Sequence, residues 1–379
     1  MNIESVFGTI EKEFDKYVDF LCDICAFEAR ATDKETLDKM ADFITEFAEK
    51  EGFSAHRTKF EKAGDFLCID INKGNEKGCT FMAHTDTVHD KGTFGFPPVK
   101  REANRIIAPG VIDCKGGISI ALLVMKAMLV NGYSKHLRLI LTTDEEISNS
   151  LGGEKEIQYF KDMTEGFPYA INCETSKNDE VAISRSGICK YMVEVKGIGG
   201  HAGMHYFDCA NPVLEAANKI IALESRSEKG GITYSCNVIN GGTVFNKIPD
   251  TCSFSIDIRF KRMCDSETVE KTVREIVDHS YVEGTSATVR LLSKRPPMEK
   301  TEATMELFGK LLATAEKYGL GTLIPVESGG GSDSCYTQMA GVTSICGMGA
   351  CGEFCHTDRE YANIDSLLKR SKLLAGFLI

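Results

Sequence analysis

No stretch of this sequence reaches the about 20 apolar residues that a membrane-spanning helix needs. The most apolar run, Ile118 to Val130, is short and is broken by Lys126. Positive charge is in deficit: 44 Lys and Arg against 55 Asp and Glu leave a formal charge of −11 over 379 residues. An acidic surface repels phosphate backbones and anionic headgroups, so nucleic acid and membrane are excluded as partners. The first residues, MNIESVFGTIEKEFDKY, carry four acidic side chains and no apolar h-region, which predicts a cytoplasmic protein. The HExxH pair that seats a single zinc on one helix is missing. So are internal repeats, low-complexity segments and long linkers.

Cysteine, by contrast, is abundant. There are fifteen, an odd number, and Cys68, Cys79, Cys173 and Cys252 sit inside apolar strand-like runs. That distribution fits buried free thiols in a reducing compartment rather than a disulfide framework. Cys22 and Cys25 form a CxxC within a helical pattern, with no second pair to complete a zinc or redox motif, so they read as helix-face thiols. Cys351 and Cys355 receive the same reading. With 42% hydrophobic and 26% charged residues, the chain has the balance of a globular protein with a sizeable core, and its length predicts two or three domains.

Apolar residues recur at helical spacing through Val6, Ile10, Phe14, Val18 and Leu21, and again through Leu37, Met40, Phe43, Ile44 and Phe47. Short apolar runs then alternate with helical segments: 66–71, 79–83, 117–130 (helical), 137–142, 169–173 and 343–346. Strands alternating with helices predict an α/β domain around a mostly parallel sheet buried on both faces. The middle of the chain differs. Residues 188–196 and 253–260 alternate apolar with polar, as half-exposed antiparallel strands do, and two helical stretches and a further strand at 287–292 accompany them. The organisation predicted is a discontinuous catalytic domain, residues 1–183 and 294–379, carrying an inserted α+β domain, residues 184–293.

Polar clusters stand where the strand-like runs end. Residues 79–83 lead to His84-Thr85-Asp86, 137–142 to Asp144-Glu145-Glu146, and 169–173 to Glu174. A loop from Gly110 to Gly117 carries Asp113 into a helix, and a Gly-rich loop after 343–346 holds His356. Ligands of open α/β sheets bind at that edge. Each cluster alone is ordinary surface. Several imidazoles and carboxylates gathered at one edge are different, because buried carboxylates need compensation and a metal ion supplies it.

This set of HxD, G-x-x-D-x-K-G-G, D-E-E, a strand-end Glu and a late His resembles the M20 metallopeptidases, over almost the whole chain and in family order. That group contains glutamate carboxypeptidases, acetylornithine and succinyl-diaminopimelate deacylases, and tripeptidases. The resemblance implies an α/β catalytic domain with two divalent metal ions, most often zinc with cobalt or manganese as alternatives, and an inserted ferredoxin-like lid that dimerises. It implies that His84 and Glu174 hold one ion, Glu146 and His356 the other, and that Asp113 bridges both, with a cis peptide after it. Three carboxylates against two divalent ions leave +1, which a bridging hydroxide cancels. Glu145 would then be the general base acting on that hydroxide's water, and Asp86 would accept the ring N–H of His84. A Glu at position 174 goes, by the same resemblance, with carboxypeptidases and deacylases rather than aminopeptidases.

The insert has matching motifs. Gly197 to Gly203 ends in His201-Ala202-Gly203, and the resemblance implies that His201 crosses a homodimer to stabilise an oxyanion. The same glycines lack the βαβ setting and acidic partner of a dinucleotide loop. Asn246 and Arg259 would bind a substrate carboxylate, and Gly330 and Gly331 lie in a Gly-rich substrate loop that has no phosphate-loop Lys. His89, His205 and His279 read as ordinary surface or structural histidines. Two departures blur the substrate: Ala108-Pro109-Gly110 replaces Gly-Arg-Gly, and the residues after Gly203 lack the common Gly-x-Asn-Ala. The expected activity is hydrolysis of an amide beside a free carboxylate, by a carboxypeptidase or dipeptidase. An N-acyl-amino-acid deacylase or tripeptide aminopeptidase is the alternative, and a non-catalytic binding module or thiol redox protein the competitor from another class.

Overall fold

The computed structural model describes residues 1–379, which fold as two compact units. The first comprises residues 1–184, 300–328 and 332–379, and the second residues 185–299 and 329–331.

The first unit is built on a six-stranded sheet in the order Ser54–Thr58, Phe66–Ile71, His136–Thr142, Lys77–His84, Tyr169–Asn172, Thr343–Ile345. The last four run parallel and the first two pair antiparallel. Alternation of side chains along a strand sends odd and even positions to opposite faces. Leu67, Ile69, Cys79, Phe81, Leu137, Leu139 and Ile171 pack on one face, against the helices Ile3–Cys25, Gly116–Val130 and Ile364–Leu378. Cys68, Met82, Ile140 and Ala170 pack on the other, with Phe160 and Tyr336 of the helices Gly153–Thr164 and Ser334–Met339. Burial on both faces explains why these strands read as unbroken apolar runs. Gly116–Val130 is apolar nearly all round because it is buried nearly all round. Helix starts are fixed by side-chain caps: Asn2 accepts from Glu4 N and Asp33 from Thr36 N, each worth about 1 kcal/mol.

The second unit is a four-stranded antiparallel sheet, Thr233–Gly241, Thr251–Phe260, Gly187–Lys196, Ser286–Arg295, with the helices Pro212–Glu224 and Asp265–Asp278. Val193, Val195, Phe254, Ile256 and Ile258 face Ala216, Leu223, Val269 and Val273 of these helices. The strand Thr233–Gly241 is absent from the sequence expectation. Its residues 237–241 are exposed and carry no apolar alternation, so only its pairing with Thr251–Phe260 makes it a strand. The edge strand Ser54–Thr58 escaped for the same reason.

Candidate metal centre

The site in the first unit forms where the parallel strands end. His84 closes the strand Lys77–His84 with its ring buried. Its Nδ1 lies 3.1 Å from the main-chain oxygen of Asp86 and 3.3 Å from Asp86 Oδ1. Both are acceptors, so Nδ1 carries a proton, which leaves Nε2 as the nitrogen that a metal ion would take. There Nε2 meets Asp113 Oδ1 at 3.1 Å and Glu174 Oε1 at 3.8 Å. Asp86 is fully buried and accepts from the main-chain N–H groups of Glu145 (3.3 Å) and Glu146 (3.1 Å). One carboxylate therefore orients a histidine of one strand end and the acidic turn of the next.

That turn, Glu145–Ile147, is a single 3-10 turn followed by Ser148 and Asn149 at φ 61° and 54°. Two successive left-handed residues are costly and persist only where surroundings impose them. Asp144 supplies the constraint, its Oδ2 accepting from Leu151 and Gly152 N–H. Asp113 sits in the loop Val111–Lys115, entered through Gly110 at φ 68°, and the Asp113–Cys114 peptide is cis. Buried Glu360 pins this loop from behind. Its Oε1 accepts from Ile112 N (2.9 Å) and Asp113 N (3.3 Å), and its Oε2 from Gly110 N (3.3 Å), with His89 Nε2 at 2.9 Å.

His356, half exposed, brings Nε2 to 3.0 Å from Asp113 Oδ2 and 3.4 Å from Glu146 Oε2. The two oxygens of Asp113 thus each face a different imidazole. Donor atoms close enough to share an ion form three overlapping groups: Asp113, Cys355 and His356; His84, Asp113 and Glu146; His84, Glu145 and Glu174. All five expected ligands, with Glu145 and Asp86, come together.

The electrostatics are those of a pocket short of positive charge. Burial alone would raise the Asp113 carboxyl, but His356 and His84 hold it well below the usual range. Burial opposes charge on His84, yet its neighbours, Cys114, Asp113 and Asp86 among them, lift its pKa well above that of a free imidazole. Burial pushes Glu146 up to about 7, against the pull of His356. Asp113, then Cys355 and Glu146, raise His356. One buried oxygen, Glu146 Oε1, has no hydrogen-bond partner. An orphaned carboxylate oxygen among imidazole and carboxylate donors is what a divalent cation would satisfy, so the residues present fit the expected ions.

Residues 80–379 match the protein family described as Peptidase family M20/M25/M40. The chain belongs to this family, and it is a hydrolase. It is 27% identical over 310 residues to carboxypeptidase G2 of a Pseudomonas species, covering 80% of this chain and 74% of that one. It is 24% identical over 333 residues to a succinyl-diaminopimelate desuccinylase of Rickettsia felis, covering 80% and 84%. In structure it is similar to an M20 family metallo-carboxypeptidase from Sulfolobus solfataricus, with TM-score 0.78, 17% identity, and coverage of 96% and 98%. It is also similar to a Bacillus subtilis dinuclear metal binding peptidase, with TM-score 0.69, 14% identity, and coverage of 97% and 98%. Divalent metal ions are the cofactor that these relatives and the donor groups support.

The other expected residues lie in the second unit. His201 is exposed in the short strand Gly200–His201, and its Nδ1 accepts from Gly203 N (3.2 Å) and Met204 N (3.3 Å). Asn246 is beside it, its main-chain oxygen taking Ala202 N at 2.9 Å. Arg259 is already paired: Nε and Nη2 grip Asp257 at 2.6 and 3.0 Å, and Nη1 is 3.4 Å from the Gly329 oxygen. Gly330 accepts from Ser186 N at 3.2 Å, and a Cβ on Gly331 would stand 2.7 Å from Ile188 Cδ1. Arg259 and the Gly329–Gly331 run are neighbours, and His201 and Asn246 are neighbours.

Sequence reasoning missed two residues of the centre, Glu360 and Cys355. Of the surface and structural readings of His89 the structural one holds, since it is the buried partner of Glu360, and Glu360 itself lies four positions after His356 in a charged turn with no pattern to mark it. Cys355 is not an idle thiol, since its Sγ lies 3.0 Å from Asp113 Oδ2. Cys22 and Cys25 are free thiols of the first helix, and burial raises both.

Proposed function

We propose that this chain hydrolyses an amide bond next to a free carboxylate, as a two-metal carboxypeptidase or dipeptidase. The observation that carries this reading is Asp113, with one oxygen 3.1 Å from His84 Nε2 and the other 3.0 Å from His356 Nε2, beside the orphaned oxygen of Glu146. His84 and Glu174 would hold one ion, Glu146 and His356 the other, and Asp113 would join them. Two such ions, zinc in this proposal, supply Lewis acidity toward the scissile carbonyl and bring the pKa of water down toward about 7.

The chain's own groups do the rest. Glu145, whose main-chain N–H is held by Asp86, takes a proton from the attacking water as its oxygen bonds to the carbonyl carbon. It then delivers that proton to the leaving nitrogen as the carbon–nitrogen bond breaks. Asp86 keeps His84 in one tautomer. His201 accepts two main-chain N–H groups on Nδ1, so the neutral ring carries its proton on Nε2, a donor suited to a developing oxyanion and supplied from the partner of a homodimer. Asn246 and Arg259 bind the substrate carboxylate. Since Asp257 occupies the Nε edge of Arg259, the substrate takes the Nη1 side.

Deacylation of an N-acyl amino acid is the same chemistry with an acyl group in place of the peptide, and the desuccinylase relatives keep it as the second reading. The test is Glu145→Gln with a panel of dipeptides, N-acyl amino acids and their carboxyl-amidated forms. The variant is expected to retain two metal ions per chain and lose about 10²–10⁴-fold in kcat. Amidated substrates are expected to fail with wild type. Undiminished turnover by Glu145→Gln would end the general-base assignment.

A further inference from the structure

We propose that Cys355 is a metal ligand, giving the His356 side of the centre a thiolate among nitrogen and oxygen donors. The inference rests on the two-ion reading and adds a donor that the expected ligand set lacks. Cys355 Sγ lies 3.0 Å from Asp113 Oδ2, the same distance at which His356 Nε2 faces that oxygen. Zinc–ligand bonds of about 2.0–2.3 Å place two donors on one ion roughly 3–3.7 Å apart, so thiol and imidazole are equally well set. The donor atoms of Asp113, Cys355 and His356 all lie within 4.8 Å of one another.

A further observation points to a cation here. The Glu146 side chain is 8% exposed, turns Oε2 to His356 Nε2 at 3.4 Å, and leaves Oε1 without a partner. The backbone brings both side chains to one side. Adjacent residues of an extended strand point to opposite sides, yet Cys355 and His356 reach the same carboxylate oxygen. Phe354 and His356, at φ 62° and 63°, make this possible, in a conformation that side chains rarely adopt.

The chemistry is a ligand exchange. As the ion enters, the Cys355 S–H bond would break and its proton go to solvent, a water would leave the ion, and the thiolate sulfur would donate an electron pair in its place with no change of oxidation state. A thiolate favours thiophilic ions such as zinc and cadmium over manganese.

X-ray absorption at the zinc edge tests this, on the full chain loaded with zinc and on Cys355→Ser, with the ions counted in each. Wild type is expected to show a sulfur shell near about 2.3 Å, about one sulfur per two zinc ions, and the variant none. Cadmium-over-manganese preference is expected to fall about tenfold or more in Cys355→Ser. A shell of nitrogen and oxygen alone, with two zinc ions bound, would overturn the Cys355 assignment and leave the two-ion reading standing. A sulfur shell that persists in the variant would overturn it too. A wild-type chain that takes up no zinc would overturn both. Should Cys355→Ser not fold, alkylation of Cys355 in wild type, followed by peptide mapping, decides the matter. Zinc is expected to slow it about tenfold or more, and an unchanged rate contradicts ligation.

Discussion

Two buried charge clusters, one in each unit, follow opposite rules. In the second, Glu215 and Lys219 form a buried pair at 2.7 Å, one helical turn apart. The Lys219 ammonium also donates to the Val277 oxygen at 2.9 Å, and Glu215 accepts from Tyr281 N at 2.9 Å. Each charge there is answered by the protein itself, and the pair holds structure. In the first unit, His84, Asp86, Asp113, Glu145, Glu146 and Glu174 crowd the ends of the parallel strands, and Glu146 keeps an oxygen that nothing in the chain satisfies. Between these two clusters the difference is therefore not burial, which both share, but whether the hydrogen bonding closes.

This contrast can be broken by substitution. The largest effect belongs to Asp113→Ala, which removes the group between the two imidazoles. Both ions and all measurable hydrolysis are expected to be lost, by metal counting and assay, while the fold persists by circular dichroism. Glu215→Ala comes next and should do the reverse. It strands the Lys219 ammonium in the second unit's interior at a cost of about 3–5 kcal/mol, read as a lower urea midpoint, with ion stoichiometry unchanged. If the ions are lost with Glu215→Ala, the division of labour between the units is wrong. The smallest effect is Glu360→Gln, which weakens the brace behind the Asp113 loop. Metal affinity is expected to fall about 10–100-fold by competition with a chelator, with Glu145-dependent chemistry intact at saturating metal.

Much of the fold was legible because burial on both faces leaves unbroken apolar runs in the parallel strands, and three of those runs end in polar residues that have no place in a core. His84, Asp86, Glu145, Glu146 and Glu174 announce themselves in this way. Asp113 and His356 sit in loops beside those strand ends, and their roles as bridge and ligand needed the family resemblance. Glu360 and Cys355 were not legible. An acid in a charged turn and a thiol in a loop carry no periodicity, and their significance comes from contacts that the fold creates with Asp113 and its loop, more than 240 positions away. Strands Ser54–Thr58 and Thr233–Gly241 were missed because edge strands with mixed polarity owe their form to their neighbours rather than to their own pattern. The second unit's exposed residues gave motifs but no geometry, and the pairing of Arg259 with Asp257 could not have been read from spacing alone.

Crystals of the zinc-loaded chain, measured at the zinc absorption edge, test the central claim most directly. The account predicts two anomalous peaks beside Asp113, one against each carboxylate oxygen, with His84 on one and His356 on the other. A single peak, or peaks away from Asp113, would contradict it.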